Sequence, residues 1–118
     1  MQREMPFLKS LETAAWVPVA IVTGWSSYRE AVLWCWANRP HRGMNGPDDQ
    51  AMFARNVGMH APHMSRCVSA HTKAPMNPDP DLKESFEAYT GWRGLTQYLN
   101  NRAGVTVMEQ VIAERRAA

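Results

Sequence analysis

The sequence contains little cysteine, and this excludes two classes of small protein. Cys35 and Cys67 are its only cysteines, and each lies among apolar residues at helical spacing. A fold held by disulfides has several cysteines at close intervals, and a zinc-binding fold has paired ones. We therefore expect two reduced, buried thiols in a single domain, for which 118 residues provide enough chain to form an apolar core.

Long apolar runs are missing as well. The longest nearly apolar stretch, residues 14–25, has 12 residues and is interrupted by Pro18 and Gly24. This is too short to cross a bilayer. Glu4 and Glu12 precede the stretch and no small-residue cleavage site follows it, so it does not resemble a secretory signal. We expect a cytoplasmic protein without a membrane partner.

The sequence also lacks the short motifs of the common enzyme classes. It has no glycine-rich phosphate loop, no nucleophile elbow and no pair of acidic residues in a setting that suggests catalysis. Histidines lie near Cys67 in sequence, but a thiol that packs in a core is inert as a nucleophile. We expect neither catalysis nor a cofactor.

Net charge is small, at +2, so overall charge gives only weak reason to expect an anionic partner. The distribution of charge is more informative, because residues 39–73 contain all four histidines and only two acidic residues, Asp48 and Asp49. The basic residues of this segment are Arg39, Arg42, Arg55, Arg66 and Lys73. We expect a local basic surface there, of the kind that faces nucleic acid.

Helical patterns predominate from residue 27 onward. Ser27 and Glu30 form a capping box, and apolar residues then follow at helical spacing as far as Cys35. We therefore divide the chain into an N-terminal extension, residues 1–26, and a helical domain, residues 27–118. Within the extension, residues 5–16 are predicted as a short amphipathic helix that Pro18 ends, and the rest as extended or irregular.

Further helices are predicted along the domain. One begins near Pro47 or Asp49 and ends at Gly58, and the next covers 61–69. A fourth is capped by Asp79 and has the apolar stripe Leu82, Phe86 and Tyr89. A fifth has the stripe Trp92, Leu95 and Leu99, and a last one begins with a Thr106–Glu109 capping box and carries Val107, Met108, Val111 and Ile112. No segment has a persuasive strand pattern, so the predicted fold class is all-α, with five to six helices.

The segment "QAMFARNVGMHAPHMSR", residues 50–66, has the spacing of a helix-turn-helix. Only Gly58, Met59 and His60 join its two predicted helices, and so short a turn sends the second helix off at a steep angle. Ala54 provides a small residue where the two helices touch. The positions that must be apolar to hold the angle are Phe53, Val57, Met59, Met64 and Cys67.

This segment resembles the signature of Cro-type, lambda-repressor-like (XRE-like) helix-turn-helix proteins of phages and prophages. Gln50, Phe53, Ala54, Gly58, Met59, Met64, Ser65 and Arg66 match or conservatively replace its key positions. The resemblance implies a lambda-repressor-like fold and a sequence-specific transcriptional regulator. It also implies that the helix at 61–69 reads the major groove of double-stranded DNA.

The resemblance carries over to individual residues. Arg66 would contact guanine through its planar fork, and His63 a base edge or phosphate. Gln50, Arg42, Arg55 and Lys73 would bind phosphates, contacts that position the protein without specifying sequence. The full set of candidate DNA-contacting residues is Gln50, His60, Ala61, Pro62, His63, Ser65, Arg66, Arg42, Arg55 and Lys73.

Two departures from the family pattern bear on DNA binding. Asp48 and Asp49 lie where family members usually have threonine or serine, and although they cap the helix they would repel a phosphate backbone that approaches Gln50. Ala61 lies where relatives often have a base-reading amide, and an alanine can touch only a thymine methyl group.

Alternatives to DNA binding remain open at this point. His63, Cys67 and His71 are spaced to share a helical face, as zinc ligands do, but Cys67 is already required in the core, so no metal site is expected. Five tryptophans and eight methionines are compatible with a protein-binding face. The alternative function is therefore a phage-encoded helical protein that binds and inhibits a host protein, either a regulator or a CRISPR effector.

The resemblance also implies a homodimer, because repressor-like proteins read two half-sites with two recognition helices. The segment from Trp92 to Ile112 supplies enough apolar residues for a contact between C-terminal helices. We expect the dimer interface there.

Overall fold

A computed structural model describes residues 14–40, 49–104 and 107–117. These residues form α-helices and one short 3-10 helix, with no strand among them, so the all-α class is confirmed. The elements in chain order are α1 (Val19–Val22), α2 (Tyr28–Ala37), α3 (Asp49–Asn56), α4 (Ala61–Val68), the 3-10 helix (Pro80–Leu82), α5 (Lys83–Thr90), α6 (Gly94–Arg102) and α7 (Val107–Ala117).

The predicted capping box at the start of α2 is confirmed. The Ser27 hydroxyl accepts a hydrogen bond from the Glu30 backbone N–H at 3.2 Å, and the Glu30 carboxylate accepts one from the Ser27 N–H at 3.2 Å. Hydrogen bonds from the Ser26 backbone N–H and hydroxyl lower the pKa of Glu30. The stability that this shift contributes is present at pH values above the pKa of Glu30 in the unfolded chain. It is lost as the pH falls through the lower pKa of Glu30 in the folded chain.

Helix α2 lies at the centre of the core. Ala31, Val32 and Cys35 are fully buried, and Trp36 joins an aromatic cluster with centroid distances of 5.9 Å to Phe53, 6.1 Å to Phe86 and 5.8 Å to Tyr89. This cluster holds α2, α3 and α5 together through large buried ring surfaces. Trp34 lies on another side of α2, where its ring packs edge-on against Trp92 at 4.9 Å.

Residues 14–25 pack against α6 and the turn before it. The buried side-chain amide of Gln97 accepts a hydrogen bond from the Val17 N–H at 2.7 Å and donates one to the Val17 carbonyl at 2.9 Å. Ala15 makes backbone hydrogen bonds with Gly91 and Arg93. A short helix, α1, forms in the stretch that we predicted to be irregular, and residues 14–16, predicted to be helical, are not. Residues 5–13 of that predicted helix lie outside the described residues.

The last two helices differ from the apolar stripes predicted for them. Leu99 is 43% exposed although Leu95, one turn before it, is fully buried. Tyr98 is buried instead, with its ring 6.3 Å from that of Tyr28 on α2. In α7, Met108 is 73% exposed and Ile112 43% exposed, whereas Gln110 is buried. The predicted cap residue Thr106 lies outside the described part of the chain.

Among the residues described, none of the helices has the length and apolar character that a membrane span requires.

Candidate nucleic-acid interface

Helices α3 and α4 form an adjacent pair joined by residues 57–60. Gly58 has a φ of +72°, a left-handed conformation that side chains with a Cβ rarely adopt. The Met59 N–H then donates a hydrogen bond back to the Ala54 carbonyl at 2.8 Å, which closes the turn. Ala54 is fully buried where the helices meet. The helix, the turn glycine and the second helix therefore lie at the predicted positions.

The five apolar positions of this pair behave as the spacing predicts. Phe53, Met64 and Cys67 are buried, and Val57 and Met59 are half-buried against the same core. They fix α4 along one side only. The opposite side of α4 carries residues that the resemblance assigns to DNA contact, and all of them are exposed: Ala61, Pro62, His63, Ser65 and Arg66, with His60 just before the helix.

Arg29, from the first turn of α2, holds the other end of α4. Its guanidinium donates hydrogen bonds to the Ser69 carbonyl at 2.6 Å and the Arg66 carbonyl at 3.1 Å. A cation at a helix C-terminus is also favoured by the helix dipole. The sequence analysis missed Arg29, because its partners lie 37 and 40 residues away and no local spacing connects them.

Asp49 does not lie where the sequence analysis placed it. Its side chain is 4% exposed and pairs with Arg39, whose Nη2 lies 2.6 Å from Asp49 Oδ2. The Tyr89 hydroxyl donates a hydrogen bond to the other carboxylate oxygen. The expectation that Asp49 repels an approaching phosphate backbone is therefore wrong, since the carboxylate is turned inward and neutralised.

The same pair corrects the predicted basic surface. The Arg39 side chain is largely buried between Asp49 and the face of Trp36, with the guanidinium carbon 4.0 Å from the ring centroid. Arg39 is thus a structural cation rather than part of an exposed basic surface. Arg42 and Asp48 lie outside the described residues.

The remaining candidate phosphate contacts are spread over three places. Gln50 is half-buried in the first turn of α3 and lines a groove with His71. Arg55 is exposed in the last turn of α3, and Lys73 is exposed in the loop that follows α4. The structure therefore brings the α4 residues together on one face, while Gln50, Arg55 and Lys73 flank the pair separately.

Two acidic residues that the sequence analysis did not connect with the site lie beside it. Asp79 and Asp81 line the same shallow groove as His60 and His63 at the start of α4. The two histidine rings are in edge-on contact, with centroids 4.8 Å apart. This end of the α4 face therefore places two carboxylates beside two imidazole rings.

The residues of the rejected zinc hypothesis do not share one helical face. Helix α4 ends at Val68, so His71 lies in the following loop, and Cys67 is fully buried. Within the described part of the chain, no three histidine, cysteine or acidic side chains are arranged to hold a metal ion. Burial raises the pKa of the Cys67 thiol, and burial together with the Glu87 charge raises that of Cys35 to about 12.

Both thiols are accordingly expected to resist alkylation in the folded protein. At pH 8 iodoacetamide should label Cys35 and Cys67 slowly, because the thiolate is the reacting form and both sulfurs are buried. In urea both should react at the rate of a free cysteine. Peptide mass spectrometry assigns each site, and rapid labelling of Cys67 without denaturant would contradict its burial in the α3–α4 contact.

The chain matches no protein-family model, no curated protein and no solved structure with which it was compared. Its fold and site nevertheless define a class, an all-α protein in which a tightly turned helix pair presents one exposed polar face.

Proposed function

We propose that the protein is a sequence-specific DNA-binding transcriptional regulator of the phage and prophage type, which inserts α4 into the major groove. The observation that carries the proposal is the division of α4 into two sides. Met64, Cys67 and Val68 are buried, while the polar side is exposed along the whole helix. A helix held firmly on one side and open on the other is the shape that the major groove admits.

Electrostatics support this proposal at the start of α3. Because Arg39 neutralises Asp49 inside the protein, Gln50 occupies the first turn of α3 without an exposed Asp49 charge beside it. Arg55 is exposed in the last turn of α3, and Lys73 is exposed in the loop after α4. Contacts from such residues to phosphates would fix the register of α4 on the duplex.

Arg66 is the residue proposed to read a base. Its backbone carbonyl accepts a hydrogen bond from Arg29, whereas its side chain is exposed. The guanidinium makes one weak contact, between Nη1 and the Met76 sulfur at 3.9 Å. The backbone of Arg66 is therefore held in place while its guanidinium can turn toward a guanine. The two N–H groups of the guanidinium match the O6 and N7 atoms of that base. Ala61 would add only contact with a thymine methyl group.

A binding selection with genomic fragments and purified protein, at stated salt concentration, tests the proposal. On the selected site, Arg66→Ala should lose about 1–3 kcal/mol and relax specificity at one base position. Lys73→Ala should weaken all sequences alike and lower the slope of the salt dependence by about one phosphate contact. Arg102→Ala, an exposed arginine on α6, is the matched control and should change neither.

Failure to retard any fragment at low salt would contradict DNA binding and favour the second candidate, a phage-encoded protein that inhibits a host regulator or a CRISPR effector. Asp79 and Asp81 beside His60 and His63 are the observation that favours it. A surface that carries two carboxylates suits a polypeptide partner better than a polyanion.

A further inference from the structure

The sulfur of Met76 lies against the side chain of Arg66, the residue proposed to read a base. Met76 Sδ is 3.9 Å from Arg66 Nη1. A thioether is only a weak acceptor of hydrogen bonds, so this contact leaves the guanidinium able to turn away. Oxidation of the sulfur would change that, because a sulfoxide carries a polar oxygen at the same place.

The backbone of Met76 is fixed beside the end of α4. Its N–H donates a hydrogen bond to the Arg66 carbonyl at 3.3 Å, and its carbonyl accepts one from Arg29 Nη1 at 3.5 Å. The same Arg29 nitrogen lies 3.1 Å from the Arg66 carbonyl oxygen. These three hydrogen bonds join the loop to the helix, so the Met76 side chain starts from a defined position next to Arg66.

The Met76 side chain also borders open space. It is half-buried and lines the shallow groove, about 480 Å³ in volume, that also contains His60 and His63. Met64, on the buried side of α4, is only 1% exposed. A small neutral oxidant can therefore approach the Met76 sulfur in the folded protein, whereas the Met64 sulfur is shielded by the core.

We propose that Met76 is a site of reversible oxidation by hydrogen peroxide, and that its sulfoxide binds the Arg66 guanidinium. The sulfur attacks one peroxide oxygen, the O–O bond breaks and an S–O bond forms. The other oxygen leaves as hydroxide and takes the proton of the transferred oxygen, which gives water. Sulfur loses two electrons and peroxide gains them. The weak contact then becomes a charge-assisted hydrogen bond from Arg66 to the sulfoxide oxygen.

The expected consequence is loss of base reading by Arg66. A guanidinium that is bound to the sulfoxide has to give up that hydrogen bond before it contacts the O6 and N7 atoms of a guanine. For this effect on DNA the inference rests on the proposed function. The oxidation of Met76 and the binding of its sulfoxide to Arg66 do not require that DNA is the partner.

The modification is tested first without DNA, on wild type, Met76→Leu and the matched control Met108→Leu. Met108 is 73% exposed on α7 and provides an oxidisable methionine on another helix. After hydrogen peroxide treatment, peptide mass spectrometry should find the sulfoxide at Met76 before it appears at Met64. Labelling of Arg66 by phenylglyoxal should slow about threefold or more in oxidised wild type and oxidised Met108→Leu, because a hydrogen-bonded guanidinium reacts less readily. In Met76→Leu peroxide should leave it unchanged.

Two further measurements separate the sulfoxide from general damage. Methionine sulfoxide reductase should restore the labelling rate of Arg66. Met76→Gln should slow the labelling without any peroxide, because its amide oxygen is attached at the same position along the side chain as the sulfoxide oxygen. Circular dichroism verifies that each variant is folded. On the selected DNA site, oxidised wild type should bind about tenfold more weakly, and Met76→Leu should be indifferent to peroxide.

A Met76 that stays unoxidised while Met108 is fully converted would overturn the proposal. So would an Arg66 labelling rate that falls equally in oxidised wild type and oxidised Met76→Leu. If no DNA fragment is bound but Arg66 labelling still falls only where Met76 is present, the proposed oxidation site is supported and the proposed DNA-binding function fails.

Discussion

Replacing Asp49 with alanine is expected to lower the free energy of unfolding by about 3–5 kcal/mol, because it leaves the buried Arg39 guanidinium without its counter-ion. The Tyr89 hydroxyl would lose its acceptor as well. Asp49→Asn should also destabilise, since an amide retains an acceptor but not the charge. Urea denaturation followed by tryptophan fluorescence measures the effect.

The partner variants separate this ion pair from simple loss of packing. Arg39→Met should be destabilising on its own, because it leaves the carboxylate buried without a cation. The double variant Asp49→Ala/Arg39→Met should lose less stability than the sum of the two single changes, as no unpaired charge remains. Additive losses, or an Asp49→Ala protein as stable as wild type, would contradict a buried ion pair between Asp49 and Arg39.

Gln97→Leu is the second large change and should cost about 2–4 kcal/mol. Leucine is close to glutamine in size, but it makes no hydrogen bonds, so the buried N–H and carbonyl of Val17 would both be left unpaired. These two hydrogen bonds join residues 80 positions apart and fasten the N-terminal segment to α6. The loss appears as a lower denaturation midpoint.

Asn101→Leu provides the control for Gln97→Leu, because Asn101 is an exposed amide on the same helix. It should change stability by less than about 0.5 kcal/mol. Equal effects of the two substitutions would contradict the placement of residues 14–18 against α6. Proteolysis offers an independent measurement, since the Gln97→Leu protein should become susceptible to cleavage within residues 14–26 while the control does not.

The sequence predicted those parts of the fold that local chemistry determines. The Ser27–Glu30 capping box and the left-handed Gly58 each act within a few residues of chain, so their spacing is visible without coordinates. The apolar side of α4 was predicted for the same reason. A helical period repeats within eight residues.

Contacts between distant residues account for the errors. The local sequence around Asp49 is equally compatible with a solvent-facing helix cap and with a buried carboxylate. Its contacts with Arg39 and Tyr89 are what turn it inward. Nothing in the residues around Arg29 indicates that it binds the end of α4. Leu99 has the same helical spacing from the buried Leu95 as a core residue would have, but Tyr98 packs against Tyr28 of α2 and Leu99 is exposed. In each case the partner that decides the outcome lies on another element.

Guanine methylation interference on the selected DNA site tests most directly whether α4 reads the major groove through Arg66. A methyl group on N7 occupies the position that the Arg66 guanidinium would bind. The wild-type protein should be excluded from DNA methylated at one guanine, and Arg66→Ala should bind that DNA as well as it binds unmethylated DNA. Binding that no methylated guanine weakens, or an interference pattern unchanged by Arg66→Ala, would contradict the proposed role of α4.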